Sequence, residues 1–361
     1  MTDRIRIGII AGGLAGITVA IDLAKHPHVD VQVYEAARNF MERGVVIGLS
    51  PLALETLNNI IPSAVNFLEN NAGAVEVDAA RPEAGTLISD LRVAAGVTMD
   101  RALLLQVLLS LLSEDILHAS KRVKSLEQTE SDVRVTFEDG TDARFDAVIG
   151  ADGIFSSVRK HVVGEEHAAS PAGWWDCKHL VPFKKTRAVL GDESFNADRQ
   201  YAWLGDGAAM LHDIVENRTM VQCIIAVVDK DPSADRKRVV TRQVLEAELP
   251  ASWYEGPVAK GMIEPLRTLF ILGHLFGNVS SPGEIKAAFR AFDAVRRPRY
   301  QPVIDIDRGT DRLFCGQDEG AGLDPRKLNN SLGVMFGHVG ALNLESHKND
   351  ALEMMRVFLD S

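Results

Sequence analysis

Apolar residues crowd the start of the chain at Ile5, Ile7, Ile9 and Ile10, stop at a glycine-rich stretch, and resume from Leu14 at helical spacing. This pattern predicts a buried parallel strand over 4–10, a helix over 14–25 and a second strand over 31–34, a β-α-β unit. Ser50 ahead of Pro51 predicts a helix over 51–59, because serine caps orphan amides and proline suits the first turn. A weaker region rich in alanine and glycine runs to about residue 96. Residues 101–112 are apolar on most faces and predict a buried helix with Arg101 near its N-terminus. Alternation over 133–137, an Asp139-Gly140 turn signal and a second run over 144–149 predict a hairpin leading into another core strand. Residues 173–229 are β-rich, with 220–228 the clearest strand and Trp174, Trp175, Tyr201 and Trp203 interleaved, so a separate sheet is expected. Helices are expected over 239–249 and 285–295, and an amphipathic one over 344–359 that packs on the body.

A chain of 361 residues, 46% of them hydrophobic, is long enough for two domains or one large interleaved one. Its 39 basic and 50 acidic residues give a net charge of -11, which argues against nucleic acid or an anionic membrane as partner. A cytosolic protein with a small-molecule ligand fits this balance. Cys177, Cys223 and Cys315 lack the short spacings of metal or redox sites and are expected as reduced core thiols, with no metal centre. Arg4 and Arg6 before an apolar stretch imitate a signal peptide, but Gly12, Gly13 and Gly16 inside it favour a strand turning into a helix. The apolar runs at 103–112 and 269–276 are too short or interrupted to span a bilayer.

The first chemical motif is Ala11-Gly12-Gly13-Leu14-Ala15-Gly16, where a strand gives way to a helix, with Glu35 at the end of the next strand. Gly13 lets backbone approach a pyrophosphate at the helix N-terminus, Gly16 permits close helix-to-strand packing, and Glu35 accepts from ribose hydroxyls. Ala11 occupies the position where the tight turn favours glycine. The second motif, Gly150-Ala151-Asp152-Gly153 followed by Arg159, ends the hairpin's core strand. There Asp152 and Gly153 can face a cofactor lying on the sheet, and Arg159 can pair with a phosphate or carboxylate.

With Arg101 in "DRALLLQVL", "GADGIFSSVRK" at 150–160, "GWWDCKHLVPF" at 173–183 and "AFDAVRRPR" at 291–299, these motifs resemble the single-component FAD-dependent aromatic hydroxylases, in particular their fungal salicylate-hydroxylase-like branch. The resemblance spans nearly the whole chain. It implies an α/β fold in which a Rossmann-like FAD-binding domain of the p-hydroxybenzoate hydroxylase type (1–75 and 97–165) interleaves with a β-sheet substrate domain (166–264), and 265–361 returns to the FAD domain and ends in helices. It implies FAD as cofactor, NAD(P)H as co-substrate and a phenolic or polyketide-derived aromatic substrate. Glu35 would hold the adenosine ribose, Arg101 the pyrophosphate region, and Gly48 would lie on a loop near the cofactor. Over the substrate the family places an arginine and a tyrosine; the matching positions hold Lys178 and, nearby, His212. His212 could be a base, although a lone histidine in a strand is more often a satisfied structural residue, and Trp174 and Trp175 read as stacking platforms or, at least as readily, as core.

The family's Gly-Asp strand end and Pro- and Gly-rich turn, which hold the flavin ring, have no match: the flanking segments, 258–268 and 269–279, meet near Thr268. Gly205-Asp206 and Gly191-Asp192 come too early to substitute and read as turns of the substrate sheet. The departure carries a second expectation, a truncated or repurposed relative that binds flavin weakly or not at all, such as a binding protein or flavin-free cyclase. An NAD-dependent dehydrogenase would leave Arg101 and Asp152-Gly153 without a role.

Overall fold

The computed structural model describes residues 4–41, 46–63, 73–74, 77–81, 86–90, 97–195, 200–215, 218–230, 240, 275–340 and 343–360. Strand β1 (Ile5–Ile10) lies between β2 (Val29–Tyr34) and β12 (Ala147–Gly150), parallel to both, and β8 (Leu117–His118) extends the sheet beyond β2. Ile5, Ile7 and Ile9 are fully buried, as β-branched residues are in a covered parallel sheet. Helix α1 (Leu14–Ala24) follows β1 and packs against α2 (Pro51–Ile60) and α3 (Arg101–Leu109). Ser50 caps α2 as expected, its side chain accepting from the Ala53 N–H at 3.2 Å.

The run expected as one strand over 144–149 breaks at Asp146. Its carboxylate accepts from the Arg6 backbone N–H and guanidinium, both at 2.7 Å. That anchor ends β11 (Asp142–Phe145), which pairs in a three-stranded antiparallel sheet with β10 (Val133–Phe137) and β9 (Val123–Gln128), and sends β12 into the parallel sheet.

A six-stranded sheet runs in the order β13 (Trp174–Pro182), β16 (Met220–Val228), β15 (Ala208–Val215), β14 (Gln200–Gly205), β5 (Val77–Arg81), β6 (Thr86–Asp90). Its last two strands come from the region that patterning left weak; β5 pairs parallel to β14. A small sheet joins β3 (Val46–Leu49), β7 (Val97–Asp100) and β4 (Gly73–Ala74). Two short helices, α4 (Ser157–Val163) and α5 (Phe183–Leu190), follow β12 and β13; patterning had missed the second inside its β-rich stretch.

The helix expected over 285–295 is far longer. Helix α6 (Ile285–Phe314) continues through Pro298 and Pro302, although each removes a backbone hydrogen bond. Burial at both ends sustains it: Ile285, Ala288 and Ala291 join the core under the parallel sheet, while Leu313 and Phe314 join a second core with Leu204, Ala209 and Leu211. Helix α7 (Pro325–Gly340) adds Leu328 and Leu332 to that second core. The amphipathic tail forms α8 (Leu344–Leu359), which packs along α6. The helix expected over 239–249 lies outside the described residues, apart from position 240. Cys315 is a core thiol, whereas Cys177 and Cys223 are only partly buried; none of the three is in a disulfide.

Candidate active site

The glycine turn sits at the carboxyl end of β1. Ala11 takes φ 94°, a conformation that suits glycine. A Cβ on Gly16 would lie 2.0 Å from the Ala11 carbonyl oxygen, so the helix can approach the turn only because residue 16 has no side chain. Gly13 is the N-cap of α1, with extended backbone, no capping side chain and no acidic residue in the first turn. Such a terminus keeps its amides for an external anion. Glu35 lies beside it: one carboxylate oxygen accepts from the Gly12 N–H and the other from the Ala37 N–H, each at 2.7 Å. Each oxygen retains a further lone pair for a hydroxyl.

The second motif reaches the same turn through the sheet, since Gly150 pairs with Ile10 and the Ala151 N–H donates to the Ile10 carbonyl at 2.9 Å. Asp152 is occupied locally, accepting from the Ser157 N–H at 2.7 Å and from the Ser156 hydroxyl. Gly153 has φ 70° with open space where a side chain would point. Arg159 donates to the Gly153 and Ile154 carbonyls and so ties down the loop. Gly48 pairs with Thr98 and also faces open space. Arg101 begins α3, where Asp100 caps the helix by accepting from the Leu103 N–H at 2.8 Å. An uncapped helix terminus, an oriented carboxylate at the end of the next strand and space at two glycines fit the ADP half of FAD.

Lys178 and His212 are not brought together. Lys178 pairs with Ile224, while His212 pairs with Cys223, one residue away on the same strand, so their side chains leave opposite faces of the sheet. Lys178 is partly exposed and forms an ion pair with Asp176 at 3.2 Å. His212 is fully buried, stacked on Tyr201, and its Nδ1 accepts from Trp203 Nε1 at 3.1 Å. An indole N–H can only donate, so Nδ1 carries a lone pair and the imidazole is neutral with its proton on Nε2. Trp174 packs against the second core.

Sequence reasoning missed Asp213. It is buried on the face opposite His212 and accepts from Gln200 Nε2 at 2.6 Å and Gln222 Nε2 at 3.3 Å. Burial pushes its carboxyl up to about 6 against the opposing pull of the two amides. The available signal was a set of polar residues, Gln200, Asp213 and Gln222, in three largely apolar strands, the middle one also carrying His212. Cys223, on the neighbouring strand, is pushed up to about 11 by burial and then by Asp213, which keeps it protonated and unreactive. Gly205-Asp206 is the turn between β14 and β15, where Asp206 accepts from Gln317. Gly191 instead caps α5, and Asp192 pairs with Arg187. Among the described residues no cluster of histidine, cysteine and carboxylates is arranged to hold a metal, and no helix is long and apolar enough to cross a membrane.

No known family profile matches the chain. Individual relatives do. The chain is 27% identical over 422 aligned positions to the 6-methylsalicylate 1-monooxygenase atA of Aspergillus terreus, covering 98% of this chain and 93% of that protein. It is 24% identical over 398 positions to a salicylate hydroxylase of Pseudomonas putida, covering 92% and 91%. The chain is related to the salicylate-hydroxylase-like FAD-dependent monooxygenases. The fold agrees with these hydroxylases: a salicylate hydroxylase substrate complex superposes with a TM-score of 0.77 at 18% identity over 97% of this chain and 98% of that one. CtdE in complex with FAD and substrate gives 0.79 at 14% identity over 99% and 100%. The alignment to the Aspergillus hydroxylase, at 422 positions, is longer than this 361-residue chain, so that relative carries stretches inside the aligned region without a counterpart here.

Proposed function

We propose that the protein is an FAD-dependent monooxygenase that hydroxylates a phenolic, salicylate-like or polyketide-derived aromatic compound with NAD(P)H and O2. The observation that carries this reading is the uncapped N-terminus of α1 beside the oriented Glu35 carboxylate. Bound FAD, reduced by NAD(P)H, would supply the oxygen-transfer chemistry. The chain's own residues bind and orient. First-turn amides of α1, approached through Gly13 and Gly16, hold the diphosphate; Glu35 accepts the ribose hydroxyls; Arg101 adds positive charge; and Gly48 and the Asp152-Gly153 loop leave room for the cofactor. Because Lys178 and His212 leave opposite faces, one substrate on one face meets only one of them. We assign Lys178 to orienting an anionic substrate group. His212, with Nδ1 committed to Trp203, holds the aromatic packing of the sheet rather than acting as a base.

The joint near Thr268 falls outside the described residues. We assign part of the relatives' additional sequence to the Gly-Asp module at that joint. The intact adenosine-side geometry favours the flavin-dependent reading over a flavin-free one. The test is the visible spectrum of the purified protein, followed by FAD titration and NADPH oxidation with salicylate and methylsalicylate. Flavin absorbance, substrate-stimulated oxidation and a hydroxylated product are expected; a colourless protein that takes up no FAD would overturn the assignment. Transcript sequencing across Thr268 separates a short natural form from a shortened copy of a longer one.

A further inference from the structure

A pocket of about 340 Å³, whose lining includes none of the glycine-turn residues, opens between α6 and α8. Its wall is apolar at Ala294, Val295 and Pro298 and polar at Arg299, His347 and Asp350. His347 is only 6% exposed, yet its Nε2 has no hydrogen-bond partner; the Nε of Arg299 is likewise buried and unbonded. Interior polar atoms without partners are costly and rarely retained without a use. The pocket also receives the first turn of α8, whose cap is Asn343, accepting from the Ser346 N–H at 2.9 Å. A helix N-terminus carries partial positive charge. Arg296, buried one turn before Arg299, adds to the positive field. Burial, followed by Arg296 and Arg299, holds the His347 imidazole below its usual value, against Asp350, which raises it. Cationic and donor groups thus converge on one side, with the Asp350 carboxylate at the exposed rim.

We propose that this pocket is a second binding site, separate from the flavin and substrate sites, for a small monoanionic organic acid. Its carboxylate accepts from Arg299 and from His347 Nε2–H, and its apolar portion rests on Ala294, Val295 and Pro298. Asp350 disfavours a second negative charge on the ligand, which selects a carboxylate monoanion over a dianionic phosphate.

The experiment is a calorimetric titration of the full chain with sodium benzoate and, separately, inorganic phosphate at pH 8, at constant ionic strength. Saturable benzoate binding is expected, weaker for phosphate, and weakened at least tenfold in Arg299→Gln and in His347→Leu. Melting curves establish that each variant is folded. Asp350→Asn, at an exposed position, tests the same site without disturbing the buried groups and is expected to tighten phosphate binding several-fold. Absence of saturable benzoate binding would overturn the proposal, as would tighter binding of phosphate than benzoate, or benzoate affinity unchanged in folded Arg299→Gln and His347→Leu. If neither variant folds, phosphate binding unchanged in Asp350→Asn would do the same.

Discussion

Ala11 holds a backbone angle, φ 94°, that its Cβ resists, at the first position of a turn where glycine would sit without strain. Ala11→Gly is therefore expected to stabilise the fold by about 1 kcal/mol, the released strain exceeding the added chain entropy. Urea unfolding measures it, and a lower midpoint would show that the turn tolerates alanine. Glu35 acts through two charge-assisted bonds that fix its carboxylate. Glu35→Ala is expected to weaken FAD binding at least tenfold, read by titrating the quenching of flavin fluorescence. Lys178→Met is expected to raise the KM for a salicylate-type substrate about tenfold, about 1.4 kcal/mol, while leaving kcat nearly unchanged. A fall in kcat alone would place Lys178 at the reacting atoms instead. At this scale the glycine turn and the acidic strand end beside it were legible as local geometry, because a turn this tight at a strand-to-helix junction has few alternatives to glycine. The partnership of His212 with Trp203 was not: the Asp206-Gly207 turn sets the register of β14 on β15, but Trp203 lies opposite Met210, and its bond to His212 is a diagonal contact set by side-chain conformation.

Within the six-stranded sheet, Asp213 makes one element sensitive to pH. Its folded value of about 6 lies above the ordinary 3.8, so between roughly pH 4 and 6 the folded protein keeps a proton that the unfolded chain releases. Stability from this group is fully present below about pH 4, falls as pH rises through 6, and stays reduced above it, by up to about 3 kcal/mol. Asp213→Asn is expected to remove that slope and raise the unfolding midpoint at pH 7. An unchanged pH profile between 4 and 6 would show that the carboxylate is solvated. Helices were legible where caps and periodicity agreed, as at Ser50 and along α8. They were misjudged where long-range packing overrode local signals: α6 passes two prolines, and α5 sits inside a β-rich stretch. Strands β5 and β6 were missed because a parallel neighbour distant in sequence, β14, completes their pairing.

Across the molecule, the chain does not keep its parallel sheet and its six-stranded sheet in separate segments. Strands β5 and β6 leave the N-terminal region to edge the six-stranded sheet, and α6, about 45 Å long at the standard helical rise, has one end in each core. The resemblance implied interleaving of this kind, but the length of α6 and its passage through Pro298 and Pro302 emerged only with the structure. That single helix gives the two cores a common fate. Losing either core strips α6 of the burial at one of its ends, so the protein is expected to melt in one calorimetric transition whose van't Hoff and measured enthalpies agree. Two resolved transitions would mean that the helix can fray at one end while the other stays folded. A substitution at Ala288 should therefore lower the melting temperature reported by Trp203, which lies in the other core, as much as the one reported by far-ultraviolet dichroism.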